Sequence, residues 1–396
     1  MSGWQTYRIK DVAQIISEKT TNCSMPYIAL DNIVSWDAIF TPSTSISDGN
    51  SNLCKKGDVL FGKLRPYLAK AYIPTEDSIC SPEFIVLRPN SLINNRFLLY
   101  FLLSRYFIDY IRNQVTGVKM PRTNASQLGA VSISIPSFEN QKTIIAYLDE
   151  KCGKIRGEIE LLERKADAYK RLRSSIINHA VTRGLNLDIS LKSSGLRWIS
   201  YIPGHWQIGR IRSFFDYRNE KVSENDFMPL SVSKKGVVPQ MENVAKSIAV
   251  GNTRKKVCKD DFVVNSRSDR KGSCGISPMD GSVSLIYIVL EPKYIDSAFV
   301  NYYFRCNDWI EEFYRNGKGI VADLWTTNYS VMRNMEIALP PYTEQQQIAA
   351  YLDDKCGKID ALIEKIGIKI DRLKELKRSL INEVVTGQRT INTLKV

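Results

Sequence analysis

The sequence predicts an α+β protein. Two similar mixed α/β domains are separated by two long antiparallel helices forming a coiled coil, and the whole is a pseudo-two-fold internal repeat. Three observations predict this. The chain matches itself at a fixed shift, short β-branched and aromatic runs recur in both halves, and each half closes on a long stretch with apolar residues three and four apart.

The repeat comes first, because a fixed-period self-match governs every local reading. Ala-Tyr-Leu-Asp-Glu-Lys-Cys-Gly-Lys-Ile at residues 146–155 recurs as Ala-Tyr-Leu-Asp-Asp-Lys-Cys-Gly-Lys-Ile at 350–359, a shift of 204. At that shift Thr123 and Asn124 meet Thr327 and Asn328, Ile135 and Pro136 meet Leu339 and Pro340, and Gln141 meets Gln345. Downstream, Ser175, Ile177, Asn178, Val181 and Thr182 meet Ser379, Ile381, Asn382, Val385 and Thr386. Towards the N-terminus the match is fainter and mostly apolar, as a shared core requires: Trp4 answers Trp206, and Phe97, Tyr100 and Phe107 answer Phe299, Tyr302 and Trp309. Between these positions Lys-Leu-Arg-Pro-Tyr at 63–67 faces Ser-Arg-Ser-Asp-Arg at 266–270 without agreement. One frame carries two loop chemistries.

A chain of 396 residues exceeds one ordinary domain. Residues 58–61, 83–87 and 131–135 read as strands, as do 261–264, 284–290 and 335–339. Residues 97–111 and 298–313 carry apolar side chains at helical spacing. Each half then enters a long helix just after Pro136 or Pro340. Its apolar stripe is Leu148, Cys152, Ile155, Ile159 and Leu162 in the first helix, and Leu352, Cys356, Ile359, Ile363 and Ile366 in the second, a coiled-coil seam. Beyond Tyr169 the first stripe is expected to step by three to Leu172 and Ile176, overwinding the pair. About 40 helical residues span roughly 60 Å. The expected boundaries are a first domain at 1–137, a first spacer helix at 138–188, a second domain at 189–340 and a second spacer helix at 341–396.

Composition narrows the function classes. The 55 Lys and Arg against 42 Asp and Glu leave +13, which favours a polyanionic partner, nucleic acid or an acidic membrane surface. The most apolar run, 97–107, is interrupted by Ser104 and Arg105 and is too short to span a bilayer, and no signal peptide is apparent, so a cytoplasmic location without membrane association is expected. Eight cysteines without a Cys-x-x-Cys pair, and only His179 and His205, argue against a zinc site or disulfide framework. No metal and no cofactor is expected. Cys152 and Cys356 read as small core residues, and His205 beside Trp206 as structural. No phosphate-binding P-loop occurs, and Lys-Gly-Ser-Cys-Gly-Ile at 271–276 reads as a turn. Pro340-Pro341-Tyr342 imitates an amino-methyltransferase core, but Leu339 stands where that chemistry needs a polar acceptor. No catalytic residue is assigned.

Three stretches together resemble the specificity subunits of Type I restriction-modification systems. They are Gly-Asp-Val-Leu-Phe-Gly-Lys-Leu-Arg-Pro-Tyr at 57–67, Ile-Pro-Gly-His-Trp at 202–206, and the Pro-x-x-x-x-Gln…Ile-x-x-Tyr-Leu-Asp block beginning at Pro136 and Pro340. The resemblance covers the whole chain. It implies a non-catalytic subunit whose two target-recognition domains each read half of a bipartite, asymmetric double-stranded DNA site. It also implies that the helices set the spacing and dock two modification subunits, with restriction-translocase subunits joined through them. One departure is that the first half lacks the Ile-Pro-x-x-Trp lead-in and starts almost directly at Trp4.

Arginine and lysine reach phosphates and guanine edges, while asparagine suits adenine. The candidate DNA contacts are therefore the cationic, turn-rich segments that differ between halves. In the first half these are Lys63, Arg65, Lys70, Lys119, Arg122 and Asn124. In the second they are Lys234, Lys235, Arg254, Lys255, Lys256, Arg267, Arg270, Lys271 and Lys318. Taken singly, each is more often a solvated surface charge than a DNA contact. Asn124 and Thr123 recur as Asn328 and Thr327, which suits structure or phosphate contact better than base choice. Two rival readings stand beside the resemblance: an enzyme acting on DNA, for which the motifs are missing, and a coiled-coil scaffold with a non-specific basic surface.

Overall fold

A computed structural model gives the fold and describes residues 3–21, 24–47, 49–114, 120–223, 225–240, 253–319 and 325–391. The chain divides into two compact units, unit 1 from Met1–Arg164 with Ile366–Val396 and unit 2 from Lys165–Lys365. The long helices are Phe138–Arg183 and Tyr342–Val385, and each contributes one half to either unit.

The central sheet of unit 1 runs in the order Ala13–Ile16, Phe84–Pro89, Val59–Gly62, Ala71–Tyr72, all antiparallel. Alternate side chains leave opposite faces. Val59, Phe61, Ile85 and Leu87 join a core with the helices Asn95–Leu102 and Arg105–Arg112. Leu60, Phe84 and Val86 join a second core with Ile16, Ile28, Cys54 and Cys80. Both faces are covered, which is why these strands read as unbroken apolar runs. The layer over the second face is the sheet Lys19–Thr20, Ser51–Cys54, Ser78–Cys80, Tyr27–Ile28, whose last pairing is parallel.

Unit 2 repeats the frame. Its central sheet runs Phe215–Tyr217, Tyr287–Pro292, Phe262–Asn265, Cys274–Ile276. Phe262, Val264, Ile288 and Leu290 face the helix core, and Val263 and Val289 face the other. The layer over that other face is built differently, from the three strands Lys221–Val222, Arg254–Val257 and Gly281–Ser284 plus the hairpin Leu230–Ser233 with Gly236–Pro239. The expected strand at 284–290 is therefore corrected. Ser284 pairs with Arg254 while Tyr287 pairs with Asn265, so the chain changes sheets there and exposes Leu285 and Ile286 in the turn. The expected helix at 97–111 likewise breaks at Ser104, whose hydroxyl accepts from Phe107 N–H and starts a new helix. The stretch 298–313 breaks in the same place of the repeat, at Phe304 and Cys306.

Within each unit the helix halves run antiparallel. In unit 1 Ile144, Leu148 and Cys152 share a core with Leu380, Ile381 and Val384. In unit 2 Ile177, Ala180 and Val181 share one with Ile348, Leu352 and Cys356. Of the predicted stripe, Leu148, Cys152, Leu352, Cys356, Ile359 and Ile366 are buried, while Ile155, Ile159, Leu162 and Ile363 are half-buried. The expected three-residue step to Leu172 is corrected. Leu172 is 47% exposed, and burial instead continues in steps of four through half-buried Arg173 to buried Ile177.

The repeated motifs have structural reasons. Gln141 is fully buried, accepts from Asn94 N–H at 2.8 Å and donates to the carbonyls of Leu92 and Pro136 at 2.9 and 3.0 Å. Gln345 does the same for Asp296 N–H and the Pro340 carbonyl at 2.8 and 2.9 Å. Buried amides must be paired, and this one clamps the helix start to the loop entering the short helices. The aspartates of the two Tyr-Leu-Asp motifs, Asp149 and Asp353, each accept a 2.6 Å bond from a helix tyrosine, Tyr100 or Tyr302. The lead-in found only in the second half has its own anchor. Trp206 is 1% exposed and donates to Glu344, the carboxylate that also holds His205.

Candidate nucleic-acid interface

The turn before the inner strand Val59–Gly62, or Phe262–Asn265, is fixed by a buried carboxylate in both units. Asp58 accepts from Lys55 N–H at 2.8 Å and from the Arg88 guanidinium at 2.8 and 2.9 Å. Asp261 accepts from Cys258 N–H and Arg218 Nε, both at 2.7 Å. The acid is common to the two frames, but the arginine reaches it from a different place in each. A charge-assisted fork of this kind holds a strand end rigidly, and the opposite end of that strand launches the loop of interest.

In unit 1 that loop is zipped to the segment preceding a short helix at Ala125–Gly129. Thr123 N–H reaches the Lys63 carbonyl at 3.0 Å, Arg65 N–H the Pro121 carbonyl at 2.8 Å, and Leu64 bridges Arg122. In unit 2 Thr327 N–H reaches the Ser266 carbonyl at 3.0 Å, Ser268 N–H the Trp325 carbonyl at 2.8 Å, and Arg267 bridges Thr326. The shared Thr–Asn pair builds this zipper. Thr123 and Thr327 are buried, and Asn124 and Asn328 cap the following helices by accepting from Gln127 and Val331 N–H. Asn124 stays exposed, and its carbonyl oxygen accepts the capping bond.

The zipper gathers part of the cation set. In unit 1 it presents Arg65, exposed and in a left-handed backbone (φ 48°), beside Arg122, which pairs with Glu83 at 3.1 Å. Lys63 lies in the same zipper but turns its ammonium to the Pro82 carbonyl at 2.6 Å. In unit 2 it presents Arg267, Arg270 and Lys318, with Asp269 beside the two arginines at 3.2 and 3.6 Å and Lys318 bridged to Thr326. Among the described residues Arg65 and Lys318 make no ion pair.

Other candidates lie away from the zipper. Lys70 donates to the Leu30 carbonyl, and burial lowers its pKa against the opposing pull of Asp31. Arg254 is held on Ser282 and Lys256 on Glu220, both in the outer layer of unit 2. Lys255 is corrected. It is 2% exposed, donates to Tyr217 and the Tyr287 carbonyl at 3.0 and 2.7 Å, and sits over the Tyr217 ring, so its charge is satisfied inside the unit. Lys234 and Lys235 form the exposed hairpin tip, and Lys271 pairs with Glu311 at 3.0 Å. Lys119 lies outside the described residues. The sequence reading passed over Arg173 and Arg305, which line one cleft with Lys234 and Lys271. The available signal was the cation recurring at the helix position of Arg173 and Lys377. Among the described residues no group of three or more His, Cys, Asp or Glu could hold a metal, and no helix is long and apolar enough to cross a membrane.

Comparison with known proteins bears on the fold and the family. Residues 1–162 match the Type I restriction modification DNA specificity domain. The Type I restriction enzyme EcoDI specificity subunit of Escherichia coli is 26% identical over 203 residues, 50% of this chain and 42% of that protein. The chain thus aligns with about two-fifths of that relative's length. The MjaIX specificity subunit of Methanocaldococcus jannaschii is 20% identical over 99% of this chain and 94% of its own. Two solved structures share the fold. A chain from work on assembly and conformational transition of the type I R-M system superposes with a TM-score of 0.74 at 19% identity, covering 98% of this chain and 99% of that one. The HsdS subunit from Thermoanaerobacter tengcongensis gives 0.53 at 20% identity, covering 98% of each.

Proposed function

We propose that the chain belongs to the specificity subunits of Type I restriction-modification systems, which its likeness to them supports, and that it is a non-catalytic reader of a two-part DNA sequence. Residues 1–137 and 189–340 act as the two target-recognition domains, each reading one half of an asymmetric site. The helical segments 138–188 and 341–396 form an antiparallel coiled coil that fixes the spacing. Two modification subunits dock on the helical regions and carry the adenine methylation, restriction-translocase subunits join through them, and the assembly works in the cytoplasm.

One observation carries this reading. The same backbone zipper stands in both units but presents Arg65 and Arg122 in one and Arg267, Arg270 and Lys318 in the other. A shared ladder bearing unlike cationic side chains is the arrangement two different half-sites require.

The test has two arms. The chain reconstituted with its modification subunits and a methyl donor should methylate DNA at one bipartite sequence, whereas the chain alone should not. In competition at fixed salt, DNA carrying that sequence should outcompete random duplex by roughly a thousandfold or more. Equal competition would leave only a basic scaffold, and methyl transfer by the isolated chain would make it an enzyme; either result overturns the proposal.

A further inference from the structure

We infer that the cleft of unit 2 lined by Arg173, Lys234, Lys271 and Arg305 is a phosphate-binding site that holds the DNA backbone; the inference rests on the DNA-reading function proposed above. The argument begins with a difference between the repeats. At one helix position both units carry a cation, Lys377 in unit 1 and Arg173 in unit 2, 204 residues apart. Unit 1 neutralises it from within. The turn closed by the Ile33–Phe40 bridge brings Asp37 onto the Lys377 ammonium and lays the Trp36 ring under Arg378 at 4.6 Å. Trp36 and Ala38 take left-handed backbone there (φ 66° and 54°), a conformation kept where surrounding contacts hold it.

Unit 2 pairs the same position with Asp360 on the other long helix and sets further cations, not a loop carboxylate, beside it. Its hairpin tip is Lys234-Lys235, fixed by a bond from the Arg305 guanidinium to the Lys234 carbonyl. The result is a cleft of about 420 Å³ in which four cations converge. Two carboxylates answer them, Glu311 on Lys271 and Asp360 on Arg173, each at 3.0 Å. Among the described residues Lys234 and Arg305 have no ion pair. Like charges gathered in a concavity repel one another and concentrate anions from solution. A phosphate offers several acceptor oxygens to such converging donors. The choice of DNA follows from position, because Lys234 and Lys271 belong to the same hairpin tip and loop as Lys235, Arg267 and Arg270.

The experiment uses the full chain assembled with its modification subunits, a duplex bearing the methylated sequence, and a random duplex, titrated against salt. A Lys234→Gln/Lys271→Gln double variant should weaken both duplexes by the same factor, roughly fivefold per lost phosphate contact at 0.15 M salt, and lower the log–log salt slope by about 1 per contact. The preference for the specific duplex should stay unchanged. Lys234→Asp installs the solution used by unit 1. It should weaken DNA binding further while raising the thermal midpoint of the DNA-free complex, and millimolar sulfate should stabilise the parent but not this variant. A weakened fold cannot mimic that opposition of signs. Unchanged affinity and slope in the double variant overturn the site. Sulfate stabilisation without any change in DNA binding overturns its assignment to DNA, as does loss of subunit assembly with DNA binding intact, which would assign the cleft to a partner's carboxylate. Absence of any sequence preference in the parent complex would sink the function proposed above, while the slope on random duplex would still test the cleft.

Discussion

Units 1 and 2 agree on one side of their central sheets and diverge on the other. Towards the helices both bury the same alternating residues, the same clamping glutamine and the same tyrosine–aspartate bond. Over the far face, unit 1 lays a four-stranded sheet with one parallel pair, and unit 2 a three-stranded sheet plus a hairpin. The difference teaches where variation is tolerated. The helix-facing core needs volume-matched packing, so it resists change. The outer layer has to cover apolar strands on one side and is free to alter its loops on the other.

The comparison breaks most readily at the shared core. Leu148→Ala and Leu352→Ala both remove a fully buried side chain at matched positions and should each cost about 3 kcal/mol in a denaturant titration, while half-buried Leu162→Ala should cost about 1. A loss at Leu162 as large as at Leu148 would refute the ranking by burial. Next come the two acids. Asp58→Ala and Asp261→Ala each strand a partly buried guanidinium and a turn N–H, and each should cost about 2–3 kcal/mol. A gap above about 1.5 kcal/mol between them would show that the different origin of Arg88 and Arg218 matters to stability.

The unlike zippers give the third test. Arg65→Gln should reduce affinity about tenfold for DNA altered in neither half, and should relax the preference at one half-site only; Lys318→Gln should act on the other half-site. Binding to a panel of duplexes mutated in one half at a time reads this out, and relaxation of both halves by one variant would contradict two independent readers. Smallest of all are the matched surface pairs. Lys154→Ala and Lys358→Ala break i,i+4 ion pairs of 2.7 Å in the same repeat position, and neither should move the thermal midpoint measurably.

Much of this was legible in the chain itself. The 204-residue shift matched Gln141 with Gln345 and Asp149 with Asp353; the glutamines are buried amides that need their partners and so keep their identity in both copies, and the more exposed aspartates keep the same tyrosine bond. The stripe of Leu148, Cys152, Leu352 and Cys356 was equally plain, since helical periodicity is local. The interface was less so. Lys255 looks like its neighbours Arg254 and Lys256 in the sequence, yet strand alternation turns it inward onto Tyr217. Asn124 recurs in both halves, which set it apart from base choice, but only the structure shows the helix it caps.

By itself the sequence determined the repeat, the helix-facing core and the excess of positive charge, all of which follow from spacing and composition. Only the tertiary structure decided which cations meet. Leu64 bridges Arg122, and Arg267 and Lys318 both bridge Thr326, so backbone bonds between distant loops whose side chains carry no common pattern set these cations beside one another. The reason is physical. A strand or helix declares its buried face through its own period, whereas the charge on a loop acquires a partner, or is left without one, only when distant segments close on it.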